Sequence, residues 1–223
     1  MHGICFSGFP KEFVGFLFSL KINNTVDKVA ENKLVYKQLI TEPLTQLFNA
    51  LTPTALSISE TIITKPAKCM SSMYSDMRFS RATPLKEYMY LRFREPVRER
   101  DILGLYFDMG TEHYSYGIRI YKQTSAGMEK IRNGIAANEK VFAQELGNLT
   151  KIGMMIHSEK YARDRFPDIK NDTVKQLLNS KHFYIGRDCI IGDAVFNGEM
   201  LHEISNAYHG LKALYQLLKK SLY

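Results

Sequence analysis

Apolar residues near the start of the chain recur every three or four positions, and between Tyr88 and Tyr121 they alternate; that change of period marks a passage from helix to sheet. Phe13, Phe16, Leu17 and Leu20 share one face of a helix that begins near Phe9-Pro10-Lys11-Glu12, with proline in the first turn, and ends at Asn23-Asn24. A second helical stretch follows from about Asp27, with Val29, Val35 and Leu39 unevenly spaced. Pro43 in Thr41-Glu42-Pro43 is expected to kink or restart it, and Leu44, Leu47, Phe48 and Leu51 form the next stripe. Pro53 and Pro66 are expected to break helices, and the β-branched run Thr61-Ile62-Ile63-Thr64 predicts a strand or an extended edge.

Beyond the Thr83-Pro84 turn the alternation is clear. Met89, Leu91 and Phe93 fall on one side, and Tyr88, Tyr90, Arg92 and Arg94 on the other. Ile102 to Asp108 and Tyr114 to Tyr121 give two more strands, joined through Gly110 in a hairpin, and the exposed parity of the last includes Arg119 and Tyr121. Met128 to Leu146 then predicts helix with a break near Gly134 or Asn138, and Ile152 to Ile156 a short strand. Lys160 to Lys170 is a polar loop or short helix, followed by a helix from about Asp172 capped by Asn171 or Asp172. His182 to Arg187 alternates as a strand, and the stripe Met200, Leu201, Ile204, Tyr208, Leu211, Leu214, Tyr215 and Leu218 marks a long final helix. The fold class expected is α+β, an antiparallel meander flanked by N-terminal and C-terminal helices, in one domain spanning 1–223.

Charge changes the picture at one place. Between Arg78 and Arg100 there are seven Arg or Lys against three Glu, a local excess of +4 out of the chain's +7. The polar side of the first strand therefore carries two phenols and two guanidiniums. Guanidinium is a rigid fork of donors suited to phosphate or carboxylate, and tyrosine adds stacking area and a hydroxyl. The competing reading is a solvated sheet face whose arginines lie along the tyrosines and pair with Glu87, Glu95 and neighbouring strands.

Composition adds bounds: 45% hydrophobic residues supply a core, 24% charged residues are ordinary, and a pI near 9.2 favours anionic partners without being a nucleic-acid signature. Cys5, Cys69 and Cys189 are too few and too scattered for a disulfide framework, which suits a reduced cytoplasm. Phe13 to Leu20, interrupted by Gly15 and Ser19, is too short for a membrane span, and no signal peptide is evident, so a cytosolic protein with no membrane partner is expected.

No phosphate loop, dinucleotide fingerprint, nucleophile elbow or zinc-protease motif occurs, so no catalytic residue, cofactor or metal is assigned. His202 and His209 are two turns apart and cannot alone chelate one ion; His113, His157 and His182 stand isolated in the sequence. Cys69 lies near the basic stretch, where facing cations would lower its pKa and burial would leave it inert. Asp76, Arg78, Ser80 and Lys86 bring a carboxylate, guanidinium, hydroxyl and ammonium together on either side of a turn, either to orient an anionic ligand or to pin the turn as a structural ion pair.

These residues carry a resemblance. Ser75, Asp76, Arg78, Phe79 and Ser80, followed by Thr83, Pro84 and Lys86, resemble the Arg/Ser-Asp-x-Arg-Phe-Ser and Thr-Pro-x-Lys signature of an uncharacterised, mainly bacterial family, domain of unknown function 2461. Phe9-Pro10, Asn23-Asn24 with Asn32-Lys33, and Glu42-Pro43-Leu44 support it, and past Tyr121 it is an ordering of elements. The chain departs from the pattern in having no tryptophan, Lys28-Val29 in place of a Trp-Phe pair, Ser75 in place of the first arginine, and a shorter step from Ser80 to Thr83. The resemblance brings no activity with it.

Three readings follow. In the first, a non-enzymatic protein binds an anionic small molecule, or a nucleic-acid backbone although no motif supports one, through Asp76, Arg78, Ser80, Lys86, Tyr90, Arg92, Arg94 and Arg119; it requires Arg92, Arg94 and Arg119 to share one open face. In the second, Asp76, Arg78 and Lys86 surround the pocket of an enzyme. In the third, the protein is structural or binds a partner through an apolar patch.

Overall fold

A computed structural model describes residues 6–76, 83–97 and 99–223 of the chain. Helices α1 (Glu12–Ile22), α2 (Val29–Tyr36), α3 (Glu42–Ile58) and the short α4 (Pro66–Cys69) precede the meander β1 (Met89–Arg94), β2 (Ile102–Met109) and β3 (His113–Tyr121). Then come α5 (Ser125–Ala137), α6 (Glu139–Lys151), β4 (Met155–Lys160), α7 (Asp172–Leu178), β5 (Ser180–Ile190), α8 (Asp193–Phe196) and α9 (Glu199–Leu222). The strands form an antiparallel sheet in the order β1-β2-β3-β5-β4, so the fold is α+β as expected.

Helices pack on one face of this sheet. Met89, Leu91 and Phe93 of β1 meet Met109, Phe107 and Leu105 of β2 in register, and all six are buried. Phe48 of α3 stacks on Phe93 at 5.4 Å, and the Tyr208 hydroxyl of α9 donates to the carbonyl of Tyr106 at 2.7 Å. α9 buries Met200, Ile204, Tyr208, Leu211, Leu214, Tyr215 and Leu218, the stripe its sequence announced apart from the half-buried Leu201.

Several expectations need correction. Pro53 lies inside α3 and does not break it. Its lost hydrogen bond would have gone to the carbonyl of Asn49, and both residues are on the exposed side, so the buried stripe runs on undisturbed to Ile58. Pro43, by contrast, follows a π-helical turn at Lys37–Thr41, a widening that relieves the clash of its ring with the preceding turn. Thr61 to Thr64 is no strand: Ile62 closes a turn on Ser59, and Ile63 donates once to Arg94. The strand placed at 152–156 starts at Met155, because α6 runs to Lys151 and ends in a Schellman motif. There Gly153 takes φ 80°, and the amides of Gly153 and Met154 donate to Thr150 and Leu149. β5 extends past 182–187 at both ends.

The basic stretch is held from both sides. Met70 pairs with Leu91 and Tyr74 with Leu85, so residues 70–75 run along the edge of β1. The Asn24 side chain at the end of α1 donates to the carbonyl of Leu85 at 2.7 Å and accepts from its amide at 3.1 Å.

Candidate functional site

The sheet face turned away from the helices carries the candidate site. Register places Arg94, Gly104, Arg119, Tyr184 and His157 in one line across all five strands. The adjacent line holds Arg92, Tyr106, Gly117, Gly186 and Met155, and the next holds Tyr90, Asp108, Ser115 and Asp188. Arg92, Arg94 and Arg119 thus share one side of the sheet, each half-buried.

Two glycines shape its floor. A β-carbon at Gly186 would meet the Tyr106 hydroxyl, and one at Gly117 would meet the carbonyl of Ile185. Without these side chains the fully buried Tyr106 lies down from β2 over β3 and β5. The Arg119 guanidinium packs 4.9 Å from the Tyr106 ring and 4.6 Å from that of Tyr184. On the β1 side the Arg92 guanidinium sits 3.9 Å from the Tyr90 ring and 5.2 Å from Tyr121, which also lies 5.9 Å from Arg94. Lys86 stands 5.3 Å from Tyr90 and donates to Ser72. Such cation–π contacts are each worth about 0.5–2 kcal/mol depending on desolvation, enough to fix guanidiniums in place without neutralising them.

The arginines do lie along tyrosines, as the solvated-face reading had it, yet their charge is poorly compensated. Asp108 is 3.6 Å from Arg119. Burial pushes its carboxyl above the usual range, with Arg119 and Arg92 pulling back. Arg94 donates to the carbonyl of Lys68 at 2.9 Å. The Nε of Arg92 and the Tyr121 hydroxyl are buried and have no hydrogen-bond partner among the described residues. Burial drives the Tyr121 phenol upward, so its proton stays on and it remains a donor. Glu95, one of the partners expected for these arginines, has turned to the other side. It continues the parity of Met89, Leu91 and Phe93, is 2% exposed, and accepts from Thr61 at 2.5 Å, Tyr215 at 2.9 Å and Lys219 at 3.1 Å. Burial alone would raise its pKa, but these donors and Ser59 outweigh it and hold Glu95 below the usual carboxylate range.

Of the other residues singled out in the sequence, Arg78 and Ser80 lie outside the described residues, and Asp76 is exposed at their border. The basic face gains members that the sequence did not suggest: Tyr106, Asp108, Tyr184, His157 and Asp188. His157 stacks on Tyr184 at 4.5 Å with nearly parallel rings and stands 3.6 Å from Asp188, so it is not isolated. Cys69 is buried, donates to the carbonyl of Ile63, and burial pushes its thiol up to about 11, Arg94 opposing; it is the inert thiol of the two alternatives. His202 and His209 are exposed on α9, and no group of metal-ligating side chains occurs among the described residues. Among those residues no helix is long and apolar enough to cross a membrane.

With this geometry in view, the comparisons with known proteins give one positive result. The chain belongs to the family described as conserved hypothetical protein (DUF2461), whose model matches residues 12–217. No curated protein matches it.

Proposed function

We propose that this family member is a cytosolic anion-binding protein, and that the Arg/Tyr face of its sheet, with Arg92, Arg94 and Arg119 at its centre, takes a phosphate or carboxylate group. The observation that carries this reading is the Arg92 side chain. Its guanidinium is clamped against Tyr90, and its buried Nε has no acceptor among the described residues. A buried donor left unpaired costs about 1–3 kcal/mol, a cost that an incoming oxyanion removes while adding charge-assisted bonds. Arg119, whose carboxylate neighbour Asp108 stands no nearer than 3.6 Å, faces the same anion.

A thermal-shift screen against phosphorylated metabolites, nucleotides, carboxylates and short oligonucleotides, at low and high salt, tests it. A ligand bound only by the folded state raises the melting temperature. The expected result is a salt-sensitive stabilisation by small phosphates that disappears in Arg92→Ala. Stabilisation that survives Arg92→Ala and Arg119→Ala together would refute the assignment. A response confined to oligonucleotides, growing with their length, would point instead to a nucleic-acid backbone.

A further inference from the structure

Resting on that reading, we infer that the ligand is a phosphorylated polyol, such as a sugar phosphate, whose phosphate lies on the arginines and whose hydroxyls face the row Asp108, Ser115 and Asp188. The face is bipolar. Guanidiniums only donate hydrogen bonds and carboxylates only accept them, so a molecule satisfying both ends carries acceptors at one end and donors at the other. The two ends are close: the Arg119 guanidinium reaches to 3.6 Å from Asp108, and Asp108 shares its row with Ser115 and Asp188 on the next two strands, each about 5 Å further on.

The acidic end is a hollow of about 180 Å³ lined by Tyr88, Asp108, Ser115 and Asp188 among others. Independently of the carboxylates, a buried hydroxyl is aimed at this row. Tyr106, fully buried, holds its hydroxyl over Gly186 and beside Ser115, yet completes no hydrogen bond there. Burial raises that phenol, so its proton stays on the oxygen.

The donors on the ligand are hydroxyls and not an ammonium. Asp108 already has Arg119 and Arg92 beside it, and Arg94 and Lys86 add further positive charge along the same face, so a cation entering here meets net repulsion. A neutral hydroxyl does not. The sugar's C–H face then lies against tyrosine, with Tyr88 half exposed and stacked on Tyr90 at the rim.

Calorimetric titration of the full chain with ribose 5-phosphate, inorganic phosphate, ribose and 2-aminoethyl phosphate decides the matter. The expected result is that ribose 5-phosphate binds at least about tenfold tighter than inorganic phosphate, the equivalent of one hydrogen bond to a charged group. Asp188→Ala, at an exposed position, should erase that advantage while leaving inorganic phosphate affinity within about twofold. Equal affinity for the two phosphates, or an advantage that survives Asp188→Ala and Ser115→Ala, overturns the polyol assignment and leaves the anion site standing. Tighter binding of 2-aminoethyl phosphate than of ribose 5-phosphate overturns it in favour of an ammonium. Absence of binding by all four overturns both readings.

Discussion

Arg92 on β1 and Glu95 just past the strand's end sit three residues apart, yet they meet opposite treatment. Glu95 is buried on the helix side and saturated, with hydroxyls from Thr61 and Tyr215 and the ammonium of Lys219 around it. Lys219 is itself tied to Ser59 at 2.7 Å and Thr61 at 2.6 Å. That network joins the end of α3, the end of β1 and the last turns of α9, and it leaves nothing over for a ligand. Arg92 is held as firmly, by ring contacts, but its Nε is unpaired. A saturated polar network is scaffold, whereas donors fixed in place and left without acceptors are the mark of a binding surface.

The largest expected effect breaks the scaffold side. Lys219→Ala leaves a buried carboxylate without its cation; such losses run to about 3–5 kcal/mol, and the one-quarter exposure of Lys219 places this one near the lower end. Chemical denaturation should show a loss of about 2–3 kcal/mol, with phosphate affinity unchanged. Gly186→Ala attacks the floor of the other region, since its β-carbon would displace the Tyr106 ring and crowd the carbonyl of Tyr116. Overpacking of this kind costs about 1–3 kcal/mol, and here near-ultraviolet circular dichroism should report the moved tyrosine together with weakened anion binding.

Arg92→Ala sharpens the contrast with Lys219→Ala. It should change stability by less than about 1 kcal/mol, since ring contacts and a screened attraction to Asp108 are lost, while anion affinity measured by calorimetry falls at least about tenfold. The smallest effect is in pH dependence. The folded-state pKa of Glu95 is lowered, so its stabilisation is fully present above its ordinary value of 4.5 and is lost as pH falls through and below that value. Glu95→Gln should therefore flatten the fall in stability between about pH 5 and pH 3 in urea melts. Asp108, raised by burial, contributes with the opposite sign, which makes Asp108→Asn the control that steepens the same fall.

Much of this was legible in the chain. Period-2 parity puts Tyr90, Arg92 and Arg94 together, and the hairpin after β2 puts Arg119 on the same side, because short connections fix register. Parity also separated Glu95 from the arginines; its negative charge invited the wrong pairing, since charge suggests solvent while position three residues past Arg92 suggests core. Tyr184, His157 and Asp188 were not legible. β5 joins β3 only after α5, α6, β4 and α7 intervene, β4 attaches through β5, and no local pattern sets which residue of β5 lies beside Arg119. Tyr106 hid for another reason: its side chain lies flat only because Gly117 and Gly186, on two other strands, make room. Pro53 misled because a proline's effect on a helix depends on which side it faces.

The most direct test of the central claim observes the Arg92 Nε–H itself. In ¹⁵N-correlated spectra of the arginine side chains, assigned with Arg92→Lys and Arg119→Lys, added inorganic phosphate should shift the Arg92 and Arg119 Nε–H signals saturably and together, and high salt should suppress the shift. If phosphate leaves both signals in place while other arginines respond, the Arg/Tyr face is not the anion site.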